Sequence, residues 1–148
     1  MKMPSKVPKA LAGSLAALVM LAAGVSIQNA EPTPEALRNE YIQAVAADTS
    51  TSMAVKIAMV MGSQYESSGK HIGKPYVDKL GRGQPLTVCN GITGAAVRAG
   101  KTYTPAECYA LERTVYRRNE AYLLDDVPQW AALTVLQQAT FIDFLHNK

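Results

Sequence analysis

Hydrophobic and polar residues follow one another along this chain in blocks of three kinds. The first kind is continuous. Ala10–Ile27 (ALAGSLAALVMLAAGVSI) is an 18-residue apolar run, with no charge between Lys9 and Glu31. At ~1.5 Å per residue such a helix spans roughly 27 Å, just short of a typical hydrocarbon core. The second kind has a helical period. Glu31-Pro32-Thr33-Pro34 stops the chain and restarts it, with Thr33 as cap and Pro34 at the first helical position. A helix is expected over Pro34–Ala46, with Leu37, Tyr41, Ile42 and Val45 on one stripe. After the polar break Asp48–Ser52, a second helix is expected from about Met53 to Gln64. Val55, Ala58, Met59 and Gly62 share one stripe there, and Ile57, Val60 and Met61 fill much of the rest, a pattern that predicts a buried helix. Thr104-Pro105-Ala106-Glu107 opens a third, with a capping Thr, a Pro at the first position and a Glu three residues after the cap. It should run to about Leu124, with Cys108, Leu111, Val115 and Tyr122 inward and Arg113, Arg117 and Arg118 outward. Asp125–Pro128 ends it. A last helix over Gln129–His146 would carry Trp130, Leu133, Leu136, Phe141 and Phe144 into the core.

The third kind of block is the polar insert Ser67–Gly94. It holds six Gly and two Pro, and its apolar residues are short and isolated: Tyr76-Val77, then Leu86–Cys89. Two or three short strands are expected, in a small antiparallel hairpin sheet with turns at Lys79–Gly83 and Asn90-Gly91. Ala95–Lys101 reads as a short helical turn ending at Gly100. The fold class is therefore α+β and mostly helical, with a small sheet inserted between helices.

Charge sharpens the division of the chain. The 15 Lys plus Arg and 12 Asp plus Glu give a net charge of +3. Lys2, Lys6 and Lys9 account for that excess, so residues 31–148 are neutral overall. The basic balance belongs to the N-terminus and gives no argument for nucleic-acid binding. Lysines before the apolar run and acids after it predict export of the body of the protein, with the N-terminus left in the cytoplasm. Residues 1–30 then form a signal or anchor segment, and residues 31–148 one domain. A cleaved signal peptide and an uncleaved anchor both remain open. A cut after Ala30 would put Gln28 where a small residue is wanted. Ten of the 18 apolar residues are Ala, Gly or Ser, which would hold a membrane weakly.

The stretch Tyr65–Gly94 carries the candidate chemistry. Glu66 falls at or just past the end of the second helix, where the negative end of the helix dipole raises a carboxyl pKa and suits a proton donor. Asp78 and Thr87 lie in the insert. The run Glu66, Tyr76-Val77-Asp78, Thr87-Val88-Cys89-Asn90-Gly91-Ile92-Thr93-Gly94 resembles the phage-type lysozymes, glycoside hydrolase family 24, the endolysins that cut peptidoglycan at the end of infection. The likeness continues through Tyr103–Cys108 and the segment Gln137–Asn147. It implies a lysozyme-like fold. It also implies that Glu66 is the general acid, and that Asp78 and Thr87 direct water in an inverting hydrolysis of the β-1,4 bond between N-acetylmuramic acid and N-acetylglucosamine. The two carboxyls should then stand roughly 6.5–9.5 Å apart. Peptidoglycan is the implied partner, with the inner membrane engaged through the N-terminal segment. The weak anchor would suit a signal-arrest-release endolysin, tethered and then freed into the periplasm. No cofactor or metal is called for, His71 and His146 being too few and too scattered for zinc; a monomer is expected.

Three departures accompany the likeness. The gaps Glu66–Asp78 and Asp78–Thr87 are both three residues longer than the family pattern. Asn90 and Ile92 replace an aromatic residue and a His. The chain ends where the family continues into a C-terminal helical lobe. Cys89 and Cys108, an even pair in an exported chain, read as a disulfide closing 20 residues and contributing ~3 kcal/mol, or else as two buried thiols. Two other readings compete with the hydrolase. One is a degenerate, membrane-tethered wall-binding protein. The other is a lytic transglycosylase that uses Glu66 alone.

Overall fold

The first helix begins where its cap predicts. In a computed structural model that describes residues 31–65 and 72–147, α1 spans Pro34–Ala47. Thr33 Oγ1 accepts the Ala36 amide at 3.2 Å, and Pro34 sits in the first turn. The chain then turns on Asp48. Its carboxylate accepts hydrogen bonds from the Ser50 amide and hydroxyl, from Thr51, and from Tyr109 and Arg113 on a later helix. These bonds, that from Tyr109 foremost, hold the Asp48 carboxyl well below the usual carboxylate range. Ser52 caps α2, Met53–Tyr65, through the Val55 amide.

The insert forms a two-stranded antiparallel sheet of β1 (Tyr76–Val77) and β2 (Leu86–Thr87), with Tyr76 opposite Thr87 and Val77 opposite Leu86. Beyond β2, Val88 pairs back on Ile92 across the Asn90-Gly91 turn. A short 3-10 turn at Gly94–Ala96 leads to α3, Pro105–Asp126. Its capping box is complete: Thr104 Oγ1 accepts the Glu107 amide, and Glu107 accepts the Thr104 amide. Such a cap is worth about 1 kcal/mol.

The last helical block differs from its expectation. It is not one helix over Gln129–His146 but a 3-10 turn at Trp130–Ala132 and then α4, Val135–His146. The break falls at Leu133-Thr134, where Thr134 and Gln137 build a second capping box. That Thr-x-x-Gln spacing is a start signal lying inside an apparently continuous apolar period.

Among the described residues the core is a single cluster drawn from the four helices and the insert. Tyr41 and Val45 come from α1, and Val55, Ala58 and Met59 from α2. Val88, Cys89 and Ile92 come from the turn, Cys108 and Tyr116 from α3, and Ala139 and Ile142 from α4. Packing departs from the sequence pattern in three places. Tyr122 points out, because the inner stripe of α3 runs through Cys108, Glu112, Tyr116, Asn119 and Leu123, polar members included. Leu136, Phe141 and Phe144 are 60%, 46% and 59% exposed among the described residues, while Ala139 and Ile142 make the buried stripe of α4. The α2 helix is buried on one face only. Met53, Ile57, Val60 and Met61 on its other side join Ile42, Val45 and Ala46 of α1 around an apolar groove of about 370 Å³. Apolar spacing shows which residues share a face, not whether a neighbour covers it. Among the described residues no helix is long and apolar enough to cross a membrane; the N-terminal segment lies outside them.

Candidate active site

The hairpin brings Asp78 and Thr87 to one place by its register. Asp78 follows β1 and Thr87 ends β2. Both are tied to the carbonyl oxygen of Pro85, which accepts the Asp78 amide at 3.0 Å and the Thr87 hydroxyl at 3.2 Å. Asp78 Oδ1 accepts the Leu80 amide at 3.0 Å, a side-chain turn that bends the chain back towards β2. Gly81 leaves room for this. A Cβ there would lie 2.8 Å from Asp78 Oδ2, so the carboxylate rests against a bare backbone. Asp78 is half-buried, whereas Thr87 is 2% exposed.

Both residues line a cleft of about 680 Å³ whose other walls include Tyr76, Asn90, Gly91, Thr93 and His146. Carboxylate, hydroxyl, amide and imidazole groups around such a volume suit a hydroxyl-rich ligand better than an apolar one. Glu66 lies outside the described residues, as does His71; the described part of α2 ends at Tyr65, immediately before Glu66.

The floor of the cleft is fastened from behind. Cys89 and Cys108 form a disulfide across 19 positions, tying the turn to α3. Asn90 is engaged through three of its groups. Its amide donates to Glu112 Oε1 at 2.7 Å, its side-chain Nδ2 donates to the Tyr116 hydroxyl at 3.1 Å, and its carbonyl meets His146 Nε2 at 2.7 Å. The His146 ring stacks on Tyr116 with centroids 4.3 Å apart, and the Tyr116 hydroxyl also lies 3.5 Å from Asp143 Oδ1. Glu112 is buried completely, and Tyr41 donates to its other oxygen. Burial pushes its carboxyl up from 4.5 to about 7, against the opposing hydrogen bonds from Tyr41 and Asn90. Gly62 of α2 completes the packing, because a Cβ there would strike the Tyr116 hydroxyl and lie 2.5 Å from Asn90 Nδ2.

Sequence reasoning singled out Asp78 and Thr87, and the structure brings them together. It missed the group formed by Tyr41, Asn90, Glu112, Tyr116 and His146. The available signal was a Glu four residues after Cys108, on the inner stripe of a helix, where a charge has no place without a partner. Among the described residues, Cys89, Cys108 and Glu112 also come within metal-ligand reach of one another, but the two sulfurs are joined to each other.

A mostly helical domain with a two-stranded sheet thus presents an Asp and a Thr to one polar cleft. Comparison with known proteins makes this more specific: the chain is homologous to phage SAR-endolysins, at roughly 35% identity over about 65% of its length. It is 37% identical over 98 residues to the SAR-endolysin of Bacteriophage PS34, covering 64% of this chain and 56% of that protein. It is 34% identical over 100 residues to the SAR-endolysin of Enterobacteria phage PA-2, covering 65% of this chain and 58% of that one. The match thus spans little more than half the length of these curated relatives. No protein-family model matches the chain.

Proposed function

We propose that the chain is a phage endolysin of the muramidase type, hydrolysing the β-1,4 bond between N-acetylmuramic acid and N-acetylglucosamine in peptidoglycan. Glu66 gives its proton to the leaving glycosidic oxygen. Asp78 and Thr87 hold a water on the opposite face of the sugar, and Asp78 takes the proton that the water loses as its oxygen bonds to the anomeric carbon. The configuration at that carbon is inverted. Residues 1–30 carry the chain to the inner membrane and hold it there until release into the periplasm.

The observation that carries this reading is the convergence of Asp78 and Thr87. They are nine positions apart, yet they share the Pro85 carbonyl and line one polar cleft, in a chain homologous to SAR-endolysins. Clearing of permeabilised Gram-negative cells is the test, with Glu66→Gln and Asp78→Asn beside the wild type. Each variant should lose on the order of 10²–10⁴-fold in rate. Clearing by Glu66→Gln at the wild-type rate would sink the assignment. An active Asp78→Asn that releases anhydro-sugar ends would make the chain a transglycosylase. A wild type that binds walls without cutting them would leave the wall-binding reading.

A further inference from the structure

A buried carboxyl group that the proposed chemistry does not use stands directly behind the cleft. Glu112 lies one helical turn after Cys108 on the inner face of α3, with 0% of its surface exposed. A carboxylate in such a place is strongly disfavoured unless donors surround it. Among the described residues, donors reach it from two separate parts of the fold. The Tyr41 hydroxyl comes from α1, and the Asn90 amide comes from the turn.

The second donor matters for the site. Asn90 lies three residues after Thr87, and Cys89, Asn90 and Gly91 line the same cleft as Asp78 and Thr87. Cys89 has a left-handed backbone, φ 52°, which a non-glycine residue adopts under strain. The disulfide anchors its side chain but does not set the direction of the next amide. That amide donates to Glu112, on a helix opened by its capping box.

We propose that Glu112 is a positioning residue of the cleft: its buried carboxyl group holds the Asn90 amide, and through it keeps the Thr87–Gly91 backbone at the depth where Thr87 faces the cleft. The inference rests on the reading of Asp78 and Thr87 as the water-directing pair. Glu112 touches neither substrate nor water in that scheme; it acts through the turn. The requirement is an acceptor for one N–H. A glutamine meets it with its carbonyl oxygen, while its NH₂ faces a Tyr41 hydroxyl able to rotate and accept. A leucine has similar bulk and offers no acceptor, leaving the Asn90 amide buried and unpaired.

The test uses the full chain in mild detergent, as wild type, Glu112→Gln and Glu112→Leu. Peptidoglycan kinetics are measured beside backbone amide shifts and hydrogen exchange. The leucine variant should lose roughly 100-fold in kcat with KM little changed, the signature of a displaced group rather than a lost binding contact. Glutamine should restore most of the rate. The Asn90 amide should exchange faster in the leucine variant, and at pH 8, where the Glu112 carboxyl is ionised, its proton signal should move upfield in the glutamine variant as a neutral acceptor replaces a charged one. A merely structural role would lower the melting temperature of the leucine variant and leave kcat per folded molecule unchanged, which would overturn the proposal. An unmoved Asn90 signal in Glu112→Gln at pH 8 would overturn it too, even if the leucine variant failed to fold. Should the wild type and Asp78→Asn both fail to cut peptidoglycan, the muramidase reading falls, while the Asn90 signal still decides whether Glu112 holds the turn.

Discussion

The two turns that border the cleft are built on opposite principles. The turn after Asp78 is held by local bonds: the Asp78 amide to Pro85, the Leu80 amide to the Asp78 carboxylate, and the Gln84 amide to Gly81. Leu80 at its tip is 99% exposed. The turn at Asn90 is fastened to distant parts of the chain, to Cys108, Glu112 and Tyr116 on α3 and to His146 on α4. One turn defines itself, and the other is defined by the helical core. This explains why the extra residues between Asp78 and Thr87 are compatible with their meeting. They lengthen a connection whose ends are already clasped at Pro85, and loop closure costs grow slowly with length. An insertion at Asn90 would have to break ties to two helices.

The contrast can be broken most forcefully at the disulfide. Replacing Cys89 and Cys108 together by Ser should cost about 3 kcal/mol of stability, read as a lower urea midpoint, because a closed loop of this length no longer restricts the unfolded chain. Nearly as large is a pH effect at Glu112. The folded carboxyl titrates at about 7 against 4.5 for the unfolded reference, with burial as the main cause. Between those values the folded protein holds a proton that the unfolded chain has released, so this group's contribution falls as pH rises from about 5 to 7, by about 3 kcal/mol in all. Glu112→Gln should remove that slope, and midpoints of both proteins at pH 5 and pH 8 provide the check. Asp48 has the opposite sign. Its depressed pKa contributes stability above the unfolded value of 3.8 that is lost as pH falls below it, so it leaves the neutral window untouched.

Gly62→Ala comes next. The added methyl strikes the Tyr116 hydroxyl and the Asn90 side-chain Nδ2, so a destabilisation of about 1–3 kcal/mol is expected from thermal melts. The smallest effect belongs to the self-contained turn: Leu80→Ser should change stability by less than about 0.5 kcal/mol. A larger loss there would mean that this turn, too, leans on the core.

The parts of the fold visible in the sequence are those whose causes are local. Thr33-Pro34 and Thr104-Pro105-Ala106-Glu107 announce helices because caps act within four residues. The hairpin is legible for the same reason, and Asp78 and Thr87 through the family resemblance of the run that holds them. What stayed hidden depends on distant partners. Glu112 looks misplaced on an inner stripe until Tyr41, 71 positions away, and Asn90, 22 positions away, supply its donors. The apolar pattern points Tyr122 inward, whereas Asn119 takes the buried position. Phe141 and Phe144 have core spacing yet stand half exposed, a fact no periodicity records.

The attachment of Asn90 also bears on the order in which the molecule is assembled. Its carbonyl closes on His146 across 56 positions, and the Glu112 carboxyl that receives its amide closes on Tyr41 across 71. Contacts of such sequence separation form only after most of the chain has been brought together, because the entropy of closing the intervening segments must be overcome first. The sheet and the capped helices can arise early from neighbouring residues. The cleft floor is a late and cooperative product, and a nascent chain that has not yet presented α4 cannot complete it.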